Sequence, residues 1–255
     1  MCIRDRHSGF ISASPYAGDV EVEPTVRSFS RERLVGHGQR LRMAAKEFFP
    51  DGMPGYQEIG NTAYVTFNHF DCDYENDYYE ALASGERIDD TIGLIMYAHS
   101  QITRADSPIE NVVLDLSMNL GGAADAAIYT MAWFLGECTM HVEDAITGAQ
   151  SSTSYRADVN GDRAFDEKDS IASLNRYCLV SPVSFSCGNL VPSVFKSSNQ
   201  VTLLGRQTGG GACAVQPLIS ADGSIWQISS RLRLSTVFNG SFYDVDQGVA
   251  PDRCV

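Results

Sequence analysis

The 255-residue sequence has no run of about 18 apolar residues, so it offers no candidate membrane-spanning helix. It has no C-x-x-C pair, which argues against a structural zinc site. Basic residues are scarce: 19 Lys and Arg stand against 32 Asp and Glu, for a net charge of −13. Phosphate binding needs a basic surface, so nucleic acid is excluded as a partner. No internal repeat is visible, which removes solenoids and propellers. The one triple-glycine segment, "TGGGA", lacks the Lys-Ser/Thr that grips phosphate and magnesium, so it is not a phosphate loop. No apolar stretch follows "MCIRDR", so no signal peptide is visible; residues 1–6 read as a translated sequencing-adapter scar. On that reading a targeting signal lies upstream, and the chain is expected to come from an exported protein.

What is present suits a folded domain. Hydrophobic residues make up 44% and charged residues 20%, enough apolar material for a sizeable core and too little charge for disorder. Six scattered cysteines remain after Cys2, compatible equally with disulfides and with buried thiols. Residues 7–55 read as the remnant of an upstream module plus a linker, with "GDVEVEPTVRSF" as a strand signal suited to a PDZ-type module. From residue 56 onward, strand and helix signals alternate. "TAYVTFNHF", "IENVVLDLS", "CTMHVE", "YCLVS", "QVTLLG" and "SIWQISSRLRLSTVF" read as strands. "YENDYYEALAS", "DDTIGLIMYAHSQITR", "GGAADAAIYTMAWFLG" and the segment after Ser186 read as helices. Such alternation predicts an α/β fold: a mixed β-sheet core with crossover helices.

Three glycine-marked turns follow strands. In "LDLSMNLGG", Gly121 and Gly122 open a helix, where exposed N–H groups can hold an oxyanion. In "VSFSCGN", Ser186 stands at a strand-to-helix turn, so its hydroxyl is presented and the N–H of Cys187 can point at a tetrahedral oxyanion. In "LLGRQTGGGACAVQ", a strand ends at Gly205 and three glycines follow Thr208.

In this order the turns resemble those of the C-terminal processing (tail-specific) protease family. That family's "LDLR-x-N-x-GG" corresponds to Leu114 through Gly122, with Ser117 in place of arginine. Its "T-x-S-A-x-E" corresponds to Ser184 through Asn189, which makes Ser186 the nucleophile. Its "G-x-x-T-x-G-K-G" begins at Gly205, and its closing "G-V-x-P-D" is intact from Gly248 to Asp252. The resemblance covers about residues 57–255 and implies an α/β catalytic core, polypeptide substrates and an acyl-enzyme on Ser186, with N–H groups of Gly121 or Gly122 and of Cys187 holding the oxyanion. Two departures stand out: Gly211 occupies the position of the lysine base, and Asn189 that of a glutamate. Lys196 reads as a solvated helix residue. The tricorn-type branch also lacks the lysine and takes a histidine from an upstream segment, and the base here is expected from such a segment. Within the chain His69 is the one histidine considered near the chemistry. The alternative is a catalytically inactive member of the fold that binds peptides or other ligands.

A separate motif, "DVNGDRAFDEKD", is expected as an insertion at about residues 150–172. Counting from Asp158, oxygen-bearing side chains fall at positions 1, 3, 5, 9 and 12: Asp158, Asn160, Asp162, Asp166 and Asp169. Ala164 offers a carbonyl at position 7. This is the hard-oxygen spacing of a calcium loop, and it resembles the loop of dockerins. It implies one structural Ca2+, although Arg163 stands where a glycine normally makes the turn.

Overall fold

The computed structural model describes residues 9–12, 43, 55–211 and 213–255. The adapter-like residues and the strand signal at residues 18–29 lie outside the described residues. In chain order the strands are β1 (Gly9–Ser12), β2 (Tyr56–Ile59), β3 (Thr62–Thr66), β4 (Asn111–Asp115), β5 (Cys138–Asp144), β6 (Gln150–Tyr155), β7 (Asn175–Val180), β8 (Thr202–Gly205), β9 (Cys213–Ile219), β10 (Ile225–Phe238), β11 (Ser241–Tyr243) and β12 (Arg253–Cys254). The helices are α1 (Tyr78–Ser84), α2 (Thr91–Ile102), α3 (Ala124–Leu135) and α4 (Cys187–Ser198).

The apolar runs build one six-stranded sheet in the order β12-β8-β7-β4-β3-β2. All its neighbours are parallel except the β2–β3 hairpin. Val112, Leu114, Cys178 and Leu203 are fully enclosed, as expected of parallel strands covered on both faces. Helices supply the crossovers: α1 and α2 between β3 and β4, α3 after β4, and α4 between β7 and β8. The rings of Phe134 on α3 and Phe195 on α4 stack 5.0 Å apart. Both are fully buried, each worth roughly 1.5–3 kcal/mol of hydrophobic stabilisation. Asp77 caps α1 by accepting from the Tyr79 and Glu80 N–H groups, and Asp90 caps α2 by accepting from Gly93, as the acidic starts of those helices predict.

The second sheet is antiparallel and centres on β10, which pairs with β1, β5, β9 and β11, while β6 pairs with β5. The strand β6 reads "QSSTSY", and every residue in it is exposed. It carries no apolar alternation, and the acidic loop follows it after Tyr155. A second difference concerns "TAYVTFNHF". Its strand stops at Thr66, and the chain bends at Asn68 and His69 before a single bridge joins Phe70 to Gly122. His69 is therefore in a turn and not on a strand. The six described cysteines are free thiols. Among the described residues no helix is long and apolar enough to cross a membrane.

Candidate active site

The parallel strands β3, β4, β7 and β8 all end on one edge of the sheet. The three glycine-marked turns leave from that edge, as ligand sites of α/β sheets do. Ser186 follows β7 and serves as the N-cap of α4, with φ 54° and ψ −121°. L-residues rarely adopt this backbone, and holding one there costs about 1–3 kcal/mol. The strain is held from both sides. The Ser186 N–H donates to the Gly210 carbonyl at 3.0 Å, and the Ser186 carbonyl accepts from the N–H groups of Asn189 and Leu190, each at 2.8 Å. Its hydroxyl makes no capping bond and has no partner among the described residues. A half-buried serine whose own oxygen is left unused is a presented hydroxyl, in a conformation a capping serine does not need.

The Gly121–Gly122 turn lies directly against it. A Cβ on Gly121 (φ 98°) would stand 2.5 Å from Ser186 Cβ, and one on Gly122 (φ 139°) would stand 2.1 Å from the Phe70 carbonyl oxygen and 2.9 Å from His69 Nε2. Only glycines permit this approach. Their N–H groups have different fates. Gly121 donates to Asn119 Oδ1 at 2.8 Å, so it has none left for a ligand. The N–H groups of Gly122 and Cys187 meet no acceptor among the described residues. Of the two glycines expected as oxyanion donors, Gly122 alone has the free group, and Gly121 provides clearance. Cys187, the first residue of α4, is buried, and burial pushes its thiol up to about 11. It stays protonated at neutral pH and donates to the Gly122 carbonyl at 3.2 Å. The two free N–H groups are thereby tied into one unit.

Several polar residues hold these turns, and the sequence patterns gave them little weight. Asn119 is fully buried; besides accepting from Gly121 it donates through Nδ2 to the Phe67 carbonyl at 3.0 Å. Ser184 donates to the Leu116 carbonyl at 2.7 Å and accepts from the Ser181 N–H at 2.9 Å. Asn189, also fully buried, donates to the Val245 carbonyl at 3.0 Å and to that of Gly211 at 3.5 Å, and its Oδ1 accepts from the Thr208 hydroxyl at 2.6 Å. Asn119, Ser184 and Thr208 all lie inside the quoted motifs, and a small polar residue within a glycine turn is the signal that marks them.

Lys196 does not stand free in solvent. It pairs with Asp252, whose other oxygen accepts from the Leu203 N–H at 2.8 Å. Burial opposes ionisation of Asp252, but Lys196 and that N–H outweigh it and hold the carboxyl below its ordinary value. The pair joins α4 to the closing "G-V-x-P-D" segment and leaves Lys196 committed there.

The acidic loop is stitched by its own side chains. Asp158 accepts from Gly161 at 2.7 Å and Arg163 at 2.8 Å, Asp162 from Ala164 at 2.8 Å, and Asp169 from Val159 and Asp166, each at 2.9 Å. Asp158 and Asp169 are buried. Arg163 takes φ 65°, the left-handed turn for which the pattern prefers glycine, and its guanidinium lies 4.3 Å from the centre of the Tyr79 ring. Among the described residues, no group of three or more His, Cys, Asp or Glu side chains is gathered as a metal centre. The calcium set expected at Asp158, Asn160, Asp162, Ala164, Asp166 and Asp169 draws on an amide and a carbonyl as well, and hard oxygens of that kind fit calcium.

Residues 61–255 match Peptidase family S41. The chain belongs to that family. No curated protein matches it significantly. Among solved structures it is similar to the photosystem II D1 C-terminal processing protease (18% identity, TM-score 0.56, covering 76% of this chain and 42% of that one). It is also similar to a lipoprotein from Streptococcus agalactiae (13% identity, TM-score 0.52, covering 90% and 85%). Mature CPAF is a third (11% identity, TM-score 0.53, covering 76% and 46%). These likenesses establish the mixed α/β fold. The chain spans 42% of the length of the first of these structures, less than half of it.

Proposed function

We propose that this domain is a serine endopeptidase core acting on polypeptides. The observation that carries the reading is Ser186: strained at the head of α4, its hydroxyl unclaimed, beside two unclaimed N–H groups. Ser186 Oγ attacks the scissile carbonyl carbon, and the N–H groups of Gly122 and Cys187 receive the developing oxyanion. Each such donor is worth roughly 10²–10³-fold in rate. Loss of the amine leaves an acyl-enzyme on Ser186, which water resolves. The same reading gives the acidic loop one structural calcium and places the protein outside the cytoplasm, where calcium loops of about 10⁻⁴–10⁻³ M affinity stay filled.

The experiment is labelling with a peptidyl phosphonate followed by mass mapping. Ser186 is expected to be the only serine modified, and Ser186→Ala to abolish both labelling and peptide hydrolysis. Labelling that survives Ser186→Ala removes the assignment. An inert Ser186, in a protein that binds peptides without cleaving them, establishes the binding-module alternative.

A further inference from the structure

We propose that His69 carries the proton in this site, taking it from Ser186 and delivering it to the leaving amine. The inference rests on the peptidase reading. The turn holding His69 is fastened to the glycine pair by the backbone: Leu120 N–H donates to Asn68 at 3.0 Å, Phe70 N–H to Gly121 at 2.8 Å, and Ala123 N–H to Phe70 at 2.8 Å. From the other side the Thr91 hydroxyl donates to the His69 carbonyl at 3.2 Å and accepts from the Asp71 N–H at 2.9 Å. The backbone at His69 is thus anchored on both sides, while the ring itself stays exposed and without a partner among the described residues. Its Nε2 lies 2.9 Å from the space a Gly122 side chain would fill, as Ser186 Cβ lies 2.5 Å from the space of Gly121. The two absent side chains are what let the Cβ of Ser186 and an imidazole approach the same dipeptide, next to the free N–H of Gly122.

The other candidates among the described residues are spent. Position 211 is glycine and Lys196 is paired with Asp252. His99 is buried against Trp133 at 3.2 Å, and His141 is engaged with Ser152 at 2.6 Å. A serine hydroxyl needs a neighbouring base to be nucleophilic at neutral pH. In the acylation step Nε2 accepts the Ser186 proton as the Oγ–C bond forms and the carbonyl π pair moves onto oxygen. Collapse of that intermediate breaks the C–N bond, and the imidazolium returns its proton to the departing nitrogen. Deacylation repeats the exchange with water, so neither protons nor electrons are gained overall.

The test compares His69→Ala and His69→Gln with the parent in the full chain. The readouts are peptide hydrolysis across pH, melting temperature and rescue by added imidazole. The titratable groups on the segments packed at this turn are Asp71 and Cys72 on the turn itself, Asp90 at the cap of α2 and Asp125 in the first turn of α3. Their charge bears on the pH profile, so Asp71→Asn and Asp125→Asn are run as controls. Loss of roughly 10²–10⁴-fold in kcat/KM is expected for both His69 variants, with an unchanged melting temperature. One limb of the parent's pH–rate profile should disappear in both variants, and millimolar imidazole should restore part of the rate to His69→Ala alone. Wild-type hydrolysis with an unaltered pH limb in either variant overturns the proposal and moves the base to a segment outside the described residues. A loss that imidazole does not repair in His69→Ala, with the pH limb retained, overturns it too. Neither result touches the peptidase reading, which stands or falls on phosphonate labelling of Ser186.

Discussion

Gly121→Ala isolates the contact on which the site's geometry depends. The substitution acts in two ways, and their sizes can be separated. At φ 98° an L-residue is strained, which costs about 1–3 kcal/mol. The new methyl group would stand 2.5 Å from Ser186 Cβ, 2.8 Å from the Phe185 carbonyl oxygen and 3.1 Å from the Cys187 nitrogen. Carbon atoms in contact sit about 3.5–4.0 Å apart, so serine and glycine must part by about 1 Å. Overpacking of this kind adds about 1–3 kcal/mol. The expected loss of stability is therefore about 2–6 kcal/mol, the sum of the strain and overpacking costs. A shift of about 1 Å at a reacting atom costs about 10²-fold in rate.

Gly60→Ala serves as the control, since Gly60 also has a positive φ (61°) but nothing stands within 4 Å of an added Cβ. It should lose only about 1–2 kcal/mol and keep its activity. Stability is read from urea midpoints, and the nucleophile from the rate at which a phosphonate phosphonylates Ser186. Gly121→Ala is expected to be slower by about 100-fold and Gly60→Ala to match the parent. A folded Gly121→Ala protein phosphonylated within about 3-fold of the parent rate would refute the contact between the glycine turn and the nucleophile.

Two further outcomes are expected. Calcium at about 100 times its dissociation constant should stabilise the protein by about 2.7 kcal/mol through the acidic loop. Asp158→Asn with Asp162→Asn, which removes two charges and leaves one acceptor oxygen on each side chain, should abolish that gain, and a parent melting temperature equal in calcium and in chelator contradicts the site. The second concerns His99, 3% exposed, whose Nδ1 accepts from Trp133 Nε1 at 3.2 Å. Burial depresses its pKa below the ordinary imidazole value, against a smaller opposing pull from the Lys168 carbonyl and Asp169. The unfolded chain then binds the proton more readily, so the stability His99 contributes is complete above about pH 6.5 and declines as pH falls from there through the folded pKa. Urea midpoints from pH 8 to 5, in the parent and in His99→Phe, measure this; equal slopes in the two proteins would show that His99 is not responsible.

The parts of the fold that could be read from sequence are those where local pattern and tertiary role agree. β4 and β7 are short apolar runs because both faces of the parallel sheet are covered, and Asp77 and Asp90 announce their helices because a carboxylate there satisfies free N–H groups. The polar strand β6 has no apolar face to show, so only its pairing with β5 defines it. At the site, the turns around Ser186 and Gly122 were visible as glycine and serine punctuation after strands. The unequal roles of Gly121 and Gly122 were not, since they turn on one side-chain acceptor, Asn119 Oδ1. The fastening of Lys196 was equally hidden, because Asp252 lies 56 residues away in the chain.

The same distinction bears on the two departures from the resembled family, Gly211 for lysine and Asn189 for glutamate. In sequence they are unrelated losses 22 residues apart; in space Asn189 Nδ2 lies 3.5 Å from the Gly211 carbonyl oxygen. Asn189 is fully buried, and a carboxylate there without a cation beside it would be an uncompensated buried charge, which costs several kcal/mol. The amide avoids that cost, bonding Thr208 through its oxygen and the Val245 and Gly211 carbonyls through its nitrogen. Gly211 in turn has φ 86°, a backbone that a lysine would adopt only under strain. Asn189 and Gly211 therefore form one neutral unit. It keeps the turn fastened to the head of α4, where the Gly210 carbonyl holds the Ser186 N–H. Among the described residues, the turn at Asn68 and His69 is the element that brings an imidazole to the opposite end of the same glycine pair.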